Sequence, residues 1–287
     1  MAVKAVQQFM LRKELGSEKK ARKTLALMRD CGYNGIELCG FMIKKISLFV
    51  RILTSLAGMG VGKSGSLDWK QLTREYGLKV VSLHEDMGTI LNKTNQVISD
   101  AKELDTDTVV LTGMFRYDYT DHNNVFMLCK KLNKAGKLLK DGGIKFLYHN
   151  HNCEFVRTKS GERPIDIILA ETDPEFVNFE FDSYWAADAG VDCVEFMHTL
   201  GERMKLYHIN DRVSIAKGSA NSILKSDGTE LGKGNMNLTA LIRTAESLGV
   251  EAIILESHRN WADNSALQSL KISSELLNYA VKNKGGN

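Results

Sequence analysis

The chain has 287 residues, 43% hydrophobic and 25% charged, with 38 Lys and Arg against 35 Asp and Glu. This is ordinary globular composition with enough apolar material for a large core, and a formal charge of +3 lacks the basic excess of a nucleic-acid binder. The cysteines at 31, 39, 129, 153 and 193 show no CxxC spacing, so neither a disulfide framework nor a zinc–thiolate site is indicated, and reduced thiols in a cytoplasm are expected.

The N-terminus, MAVKAVQQFMLRKELG, turns polar too soon for a signal peptide. Residues 5–9 (AVQQF) form the first of eight short apolar runs that read as buried parallel strands. Residues 17–31 follow with helical spacing of Leu25, Leu27 and Met28, a Ser17 cap and Gly32 as the stop. The second run is 35–38. After it, 41–66 is too long for an ordinary connection and is expected to hold an extra helix. Its apolar part, 46–61, is interrupted by Arg51 and falls short of the ~20 apolar residues that span a bilayer. The stretch GMGVGKSGS (58–66) imitates a phosphate loop, but Ala57 stands where the first Gly of that pattern is required, and it reads as a flexible loop. Further strands are expected at 79–83, 108–111, 144–148, 177–181, 205–209 and 252–255, and helices at 123–140, 238–248 and 266–281. Residues 211–234 form a polar, glycine-containing loop. Eight strand–helix units without a dividing linker predict one (β/α)8 barrel domain over 1–287; an open doubly wound sheet is the alternative.

The chemistry-bearing residues stand where strands meet loops in the second half of the chain. YHNHNCEF supplies His149, Asn150, His151 and Glu154; FEFDSYW supplies Asp182; LYHIND supplies His208 and Asp211; IILESH supplies Glu256 and His258. Each alone is an ordinary cap or surface residue. A barrel gathers such positions in one pocket at its C-terminal face, where carboxylates and imidazoles suit a divalent metal ion (Mn²⁺, Co²⁺, Zn²⁺ or Mg²⁺) and leave positions open for substrate oxygens.

The segments VQQFMLR, GYNGIEL, GLKVVSLH, YHNHNCEF, FDSYWAADAGVD, LYHINDR, LGKGNMNL and IILES resemble the sugar phosphate isomerase/epimerase family of xylose isomerase-like barrels. The resemblance covers most of the chain. It implies metal ligands from the last four barrel strands in the order Glu, Asp, His, Glu. Asp182, His208 and Glu256 match the last three. The first place holds His149, so either Glu154, five residues on, reaches back to the metal, or His149 takes the position; Glu154 is the ligand expected here.

The implied reaction is proton transfer next to a carbonyl through an enediolate, giving isomerisation or epimerisation of a sugar or sugar phosphate. His149, His151 and Glu256 are the expected acid/base groups, Trp185 stacks on a sugar face, and Glu37 and His84 bind hydroxyls. The lyase outcome, dehydration of an inosose or 3-keto-sugar, is the main rival; an abasic-site endonuclease and a non-catalytic sugar-binding barrel stand behind it. A small-molecule sugar is the expected partner, nucleic acid and membrane are not, and a homo-oligomer is allowed.

Overall fold

The computed structural model describes residues 2–44, 64–114, 116–215 and 224–282. Eight strands run parallel and close on themselves: β1 (Val3–Gln7), β2 (Gly35–Cys39), β3 (Lys79–Glu85), β4 (Thr108–Leu111), β5 (Lys145–His149), β6 (Asn178–Asp182), β7 (Met204–Ile209) and, after the hairpin described below, β10 (Ala252–Leu255). β1 pairs with both β2 and β10, which completes the barrel and leaves no sheet edge.

Strand alternation sorts the residues into two cores. Outward side chains such as Ile36, Leu38, Phe146, Tyr148, Phe179, Phe181 and Tyr207 pack against the surrounding helices. Helix His122–Asp141 answers them with Val125, Leu128, Cys129, Leu132, Ala135 and Leu139, all fully buried at three- and four-residue spacing. Each fully buried aliphatic side chain contributes roughly 1.5–3 kcal/mol. Helix Glu18–Asp30 starts at Ser17, whose hydroxyl accepts from the Lys20 amide, and stops before Gly32, where φ is +85°. Inside the barrel, Ala5, Val81, Val110, Leu147, Leu206, Ala252 and Ile254 fill the lower end with a separate apolar plug. The next inward layer is polar.

Two long connections rise at the C-terminal ends of the strands. After β2 the chain forms helix Gly40–Ile43 and, after an interval, the 3-10 turn Ser64–Ser66; the rest of the expected extra helix and most of the glycine-rich stretch lie outside the described residues. The polar loop after β7 contains an antiparallel hairpin, β8 (Asp211–Ser214) with β9 (Ser226–Thr229). It docks through Asp227, which accepts from Arg259 Nε at 2.9 Å and from the Tyr184 hydroxyl at 3.3 Å. No described helix is long and apolar enough to cross a membrane.

Candidate active site

Above the apolar plug the strands aim ionisable groups at the barrel axis. Glu37, Glu180, Asp182 and His208 are 0% exposed, His84 and His149 3%, and Glu256 6%. Burying so many charges carries a desolvation penalty of several kcal/mol per ion unless they are paired. The pairing is set by strand register. β5 aligns His149 with Glu180, and β6, after a shift between Phe179 and Glu180, aligns Asp182 with His208.

Two overlapping groups result. His149, Asp182, His208 and Glu256 each offer one ligand atom, and those atoms lie within 4.8 Å of one another. Glu37, His84, Glu180 and His208 meet the same criterion one layer deeper. His208 belongs to both. Its Nδ1 is 2.9 Å from Glu256 Oε2 and 3.8 Å from Asp182 Oδ2, whereas its Nε2 is 2.8 Å from Glu37 Oε1.

Asp182 tests whether the upper group fits a cation. Its Oδ1 caps helix Ser183–Asp188 by accepting from the amides of Tyr184 and Trp185. The Asn150 side chain fixes its backbone, accepting from Asp182 N and donating to Asp182 O. Oδ2 is buried with no hydrogen-bond partner. Such an orphaned acceptor facing two imidazoles and a second carboxylate fits a cation among these four residues. Electrostatics agree. Burial and the neighbouring Glu256 raise the Asp182 carboxyl to about 6 against the pull of His149 and His208. Burial opposes a charge on His208, but Glu180, Glu37 and Glu256 overcome it and hold the imidazole well above its usual range. A divalent ion between the same groups would do the work of those protons and displace them.

Other expected residues lie elsewhere. Glu154 is fully buried but turned to the outer side of the barrel wall. Its Oε1 accepts from the Tyr148 hydroxyl at 2.8 Å, and its Oε2 from the His151 amide at 2.9 Å and the Cys153 thiol. Tyr148 belongs to the outward core, so its hydrogen-bonded partner is separated from the barrel axis, and His149 occupies the place expected of Glu154. Glu37 and His84 are also not placed to bind hydroxyls: both sit in the deeper group, bonded to its members. His151 and Trp185 stand at the mouth, only partly exposed, with ring centroids 5.8 Å apart. Burial and nearby His149 lower the His151 imidazole to about 4, so it is neutral at pH 7.

One residue was not anticipated. Glu180 lies two positions before Asp182, so it shares the inward face of β6; the alternation FEFD between buried Phe179 and Phe181 carries that signal. His258 places Nε2 3.3 Å from Glu256 Oε1.

A closed parallel barrel whose C-terminal strand ends converge on buried carboxylates and imidazoles places a cluster able to hold a metal ion at the face where barrel enzymes carry their active sites. The chain belongs to the xylose isomerase-like TIM barrel family, whose model matches residues 25–277. It is similar to inosose dehydratase of Clostridium beijerinckii, 23% identical over 204 residues; that match covers 69% of this chain and 65% of the relative, under two thirds of its length. Inosose dehydratase of Clostridium botulinum is 22% identical over 286 residues, covering 94% and 90%. Among solved structures, a sugar phosphate isomerase/epimerase from Parabacteroides distasonis superposes with a TM-score of 0.76 at 23% identity, covering 96% of this chain and 93% of that one. The IolI protein with a binding zinc atom gives 0.66 at 14% identity over 100% of both chains. At these identities the solved structures show the fold alone.

Proposed function

We propose that the chain is a divalent-metal-dependent sugar isomerase or epimerase that removes a proton from the carbon beside a carbonyl. The reading rests on the unpartnered Oδ2 of Asp182 among His149, His208 and Glu256. Bound by these four residues, a divalent ion would supply Lewis acidity to the carbonyl and a neighbouring hydroxyl. Two imidazoles and two carboxylates suit Zn²⁺, Co²⁺ or Mn²⁺ better than Mg²⁺, which prefers oxygen.

The residues divide the remaining work. An imidazole that gives one nitrogen to a cation keeps its proton on the other, so neither His149 nor His208 serves as base. Glu256 does: it has a second oxygen, directed at His258, and a proton taken there is held close to the enediolate. His151, neutral and at the mouth, is the second proton-handling group. Trp185, packed beside it, offers an apolar face to the sugar ring. Glu37 and His84 do not touch substrate.

One observation favours a second outcome from the same intermediate. With His149 in the first ligand place, the site has one carboxylate base and one imidazole beyond it rather than two opposed carboxylates. That asymmetry suits removal of a proton by Glu256 and its return from Glu256 to a departing hydroxyl that the N–H of neutral His151 orients, so that the hydroxyl leaves as water, which is dehydration. The relatives named inosose dehydratase support this lyase reading.

One experiment separates the outcomes. Ketoses, 3-keto-sugars and inososes are incubated with the Mn²⁺-loaded protein in D₂O, then followed by NMR and mass spectrometry. Deuterium gained at carbon with the carbon skeleton and oxygen count conserved is expected for the isomerase, and loss of one water for the lyase. Absence of metal-dependent exchange or turnover across all three classes would overturn both.

A further inference from the structure

Glu37 has no route to a substrate. It is wholly buried, and its Oε2 accepts from the Ser82 hydroxyl. Its Oε1 lies 2.8 Å from His208 Nε2 and 3.0 Å from His84 Nε2. The same nitrogen of His84, Nε2, lies 2.9 Å from Glu180 Oε2, and that oxygen is 3.0 Å from His149 Nδ1. Two carboxylates that meet at one imidazole nitrogen therefore stand directly behind the two imidazoles of the upper group. The arrangement is closed: every member is at most 3% exposed, so water cannot substitute for any of these contacts.

The consequence falls on His208. A neutral imidazole carries one proton, and which nitrogen holds it decides which nitrogen offers a lone pair. Nδ1 faces Glu256 and Asp182; Nε2 faces Glu37 at 2.8 Å and Glu180 Oε2 at 3.3 Å. A carboxylate that already accepts from Ser82 can only accept from Nε2, which leaves the lone pair on Nδ1. Imidazoles that bind metals commonly donate their other N–H to a carboxylate, and loss of that partner weakens metal binding.

We propose that Glu37, held by Ser82 and His84, fixes His208 in the tautomer that presents Nδ1 to the metal, and that Glu180, which shares His84 Nε2 with Glu37, supports the same tautomer as a second carboxylate beside His208 Nε2. Glu37, His84 and Glu180 are positioning residues, one layer removed from the reaction. The proposal rests on the metal reading of the upper group.

Nitrogen NMR of histidine-labelled, zinc-loaded protein reads the tautomer without any substitution. The expected signature for His208 is a protonated Nε2 and a coordinated Nδ1; the reverse assignment overturns the proposal. Glu37→Gln keeps the size and one acceptor oxygen but removes the charge. Its zinc affinity, measured by chelator competition, is expected to fall about 10–100-fold with circular dichroism unchanged. His84→Gln should shift affinity in the same direction by less. Zinc affinity in Glu37→Gln within about twofold of the unsubstituted chain, against that expected loss, overturns the proposal alone. Two zinc ions per chain, one of them lost in His84→Gln, would also overturn it by making these residues ligands. An unsubstituted chain that takes up no zinc overturns the metal reading and this proposal together. Should Glu37→Gln not fold, the tautomer measurement decides.

Discussion

The Tyr148 hydroxyl donates to Glu154 across the outer side of the barrel wall, at 2.8 Å, and this bond separates the two candidate ligands of β5. Tyr148 faces the helices, so Glu154 stays with it, while the next residue, His149, faces the axis. The two positions should therefore fail differently. Glu154→Gln turns one acceptor oxygen into an NH₂ donor and removes the charge to which the Tyr148 hydroxyl, the Cys153 thiol and the His151 amide donate. It is expected to lose about 1–3 kcal/mol in a denaturant titration and to retain its metal. His149→Asn is expected to fold but lose tight metal binding. Metal lost from Glu154→Gln and kept in His149→Asn, by elemental analysis, would return the ligand role to Glu154.

Asp182 separates capping from metal binding within one side chain. Asn is as good an N-cap as Asp, so Asp182→Asn preserves the Oδ1 bonds to Tyr184 and Trp185. It replaces the unpartnered Oδ2 with an NH₂ group, which cannot bind a cation. Metal at about 100 times its Kd should stabilise the unsubstituted protein by about 2.7 kcal/mol, and a chelator should remove that gain. In Asp182→Asn the melting temperature is expected to be insensitive to both. An equal metal-induced shift in the variant would place the cation elsewhere.

These outcomes bear on how far the residues could be read in order. All eight barrel strands were legible as apolar runs, because strands buried on both faces need little polarity. β1 was displaced by two residues: Lys4 interrupts its pattern, yet its ammonium bonds Asn278 beyond the barrel wall. The β8–β9 hairpin was not legible, since DRVS and SDGT are polar, and the pairing is held by contacts such as Asp227 with Arg259. Asp182, His208 and Glu256 were legible as converging positions because each lies at or beside the end of an apolar strand. Glu180 was missed by looking only where strands meet loops. Buried Phe179 and Phe181 both face outward, which by alternation turns Glu180 inward along with Asp182.

The loop after the hairpin gives a stability prediction. The Asp211 carboxylate accepts from the amides of Arg212, Gly232, Gly234 and Met236, at 2.8, 2.9, 2.9 and 3.2 Å. A Cβ on Gly234 would lie 2.2 Å from Asp211 Oδ1 and 2.4 Å from the Arg212 carbonyl, so only glycine permits this approach. Gly234→Ala and Asp211→Ala are each expected to destabilise by roughly 1–3 kcal/mol. The double variant should lose clearly less than their sum, because both remove the same contact. Additive losses in urea melts would show that the two residues act independently.

The last prediction concerns His151 and which bond the site breaks. His151 lies beside Trp185 at the mouth, and its low proton affinity leaves a lone pair free at neutral pH. His151→Gln should retain metal, since the side chain is outside the His149, Asp182, His208 and Glu256 group. Its kcat should fall about 10²–10⁴-fold, the usual contribution of a positioned acid or base. The exchange of substrate hydrogen with D₂O then tells the two reactions apart. If Glu256 takes the proton and His151 assists a departing hydroxyl, the variant still exchanges at carbon while releasing little dehydrated product. If His151 shares proton transfer at carbon as a second group, exchange and turnover fall together. Glu256→Gln should abolish exchange in both cases and lose metal as well. Full turnover in His151→Gln would remove this imidazole from the mechanism and leave Glu256, with His258 at its second oxygen, as the group that handles both protons.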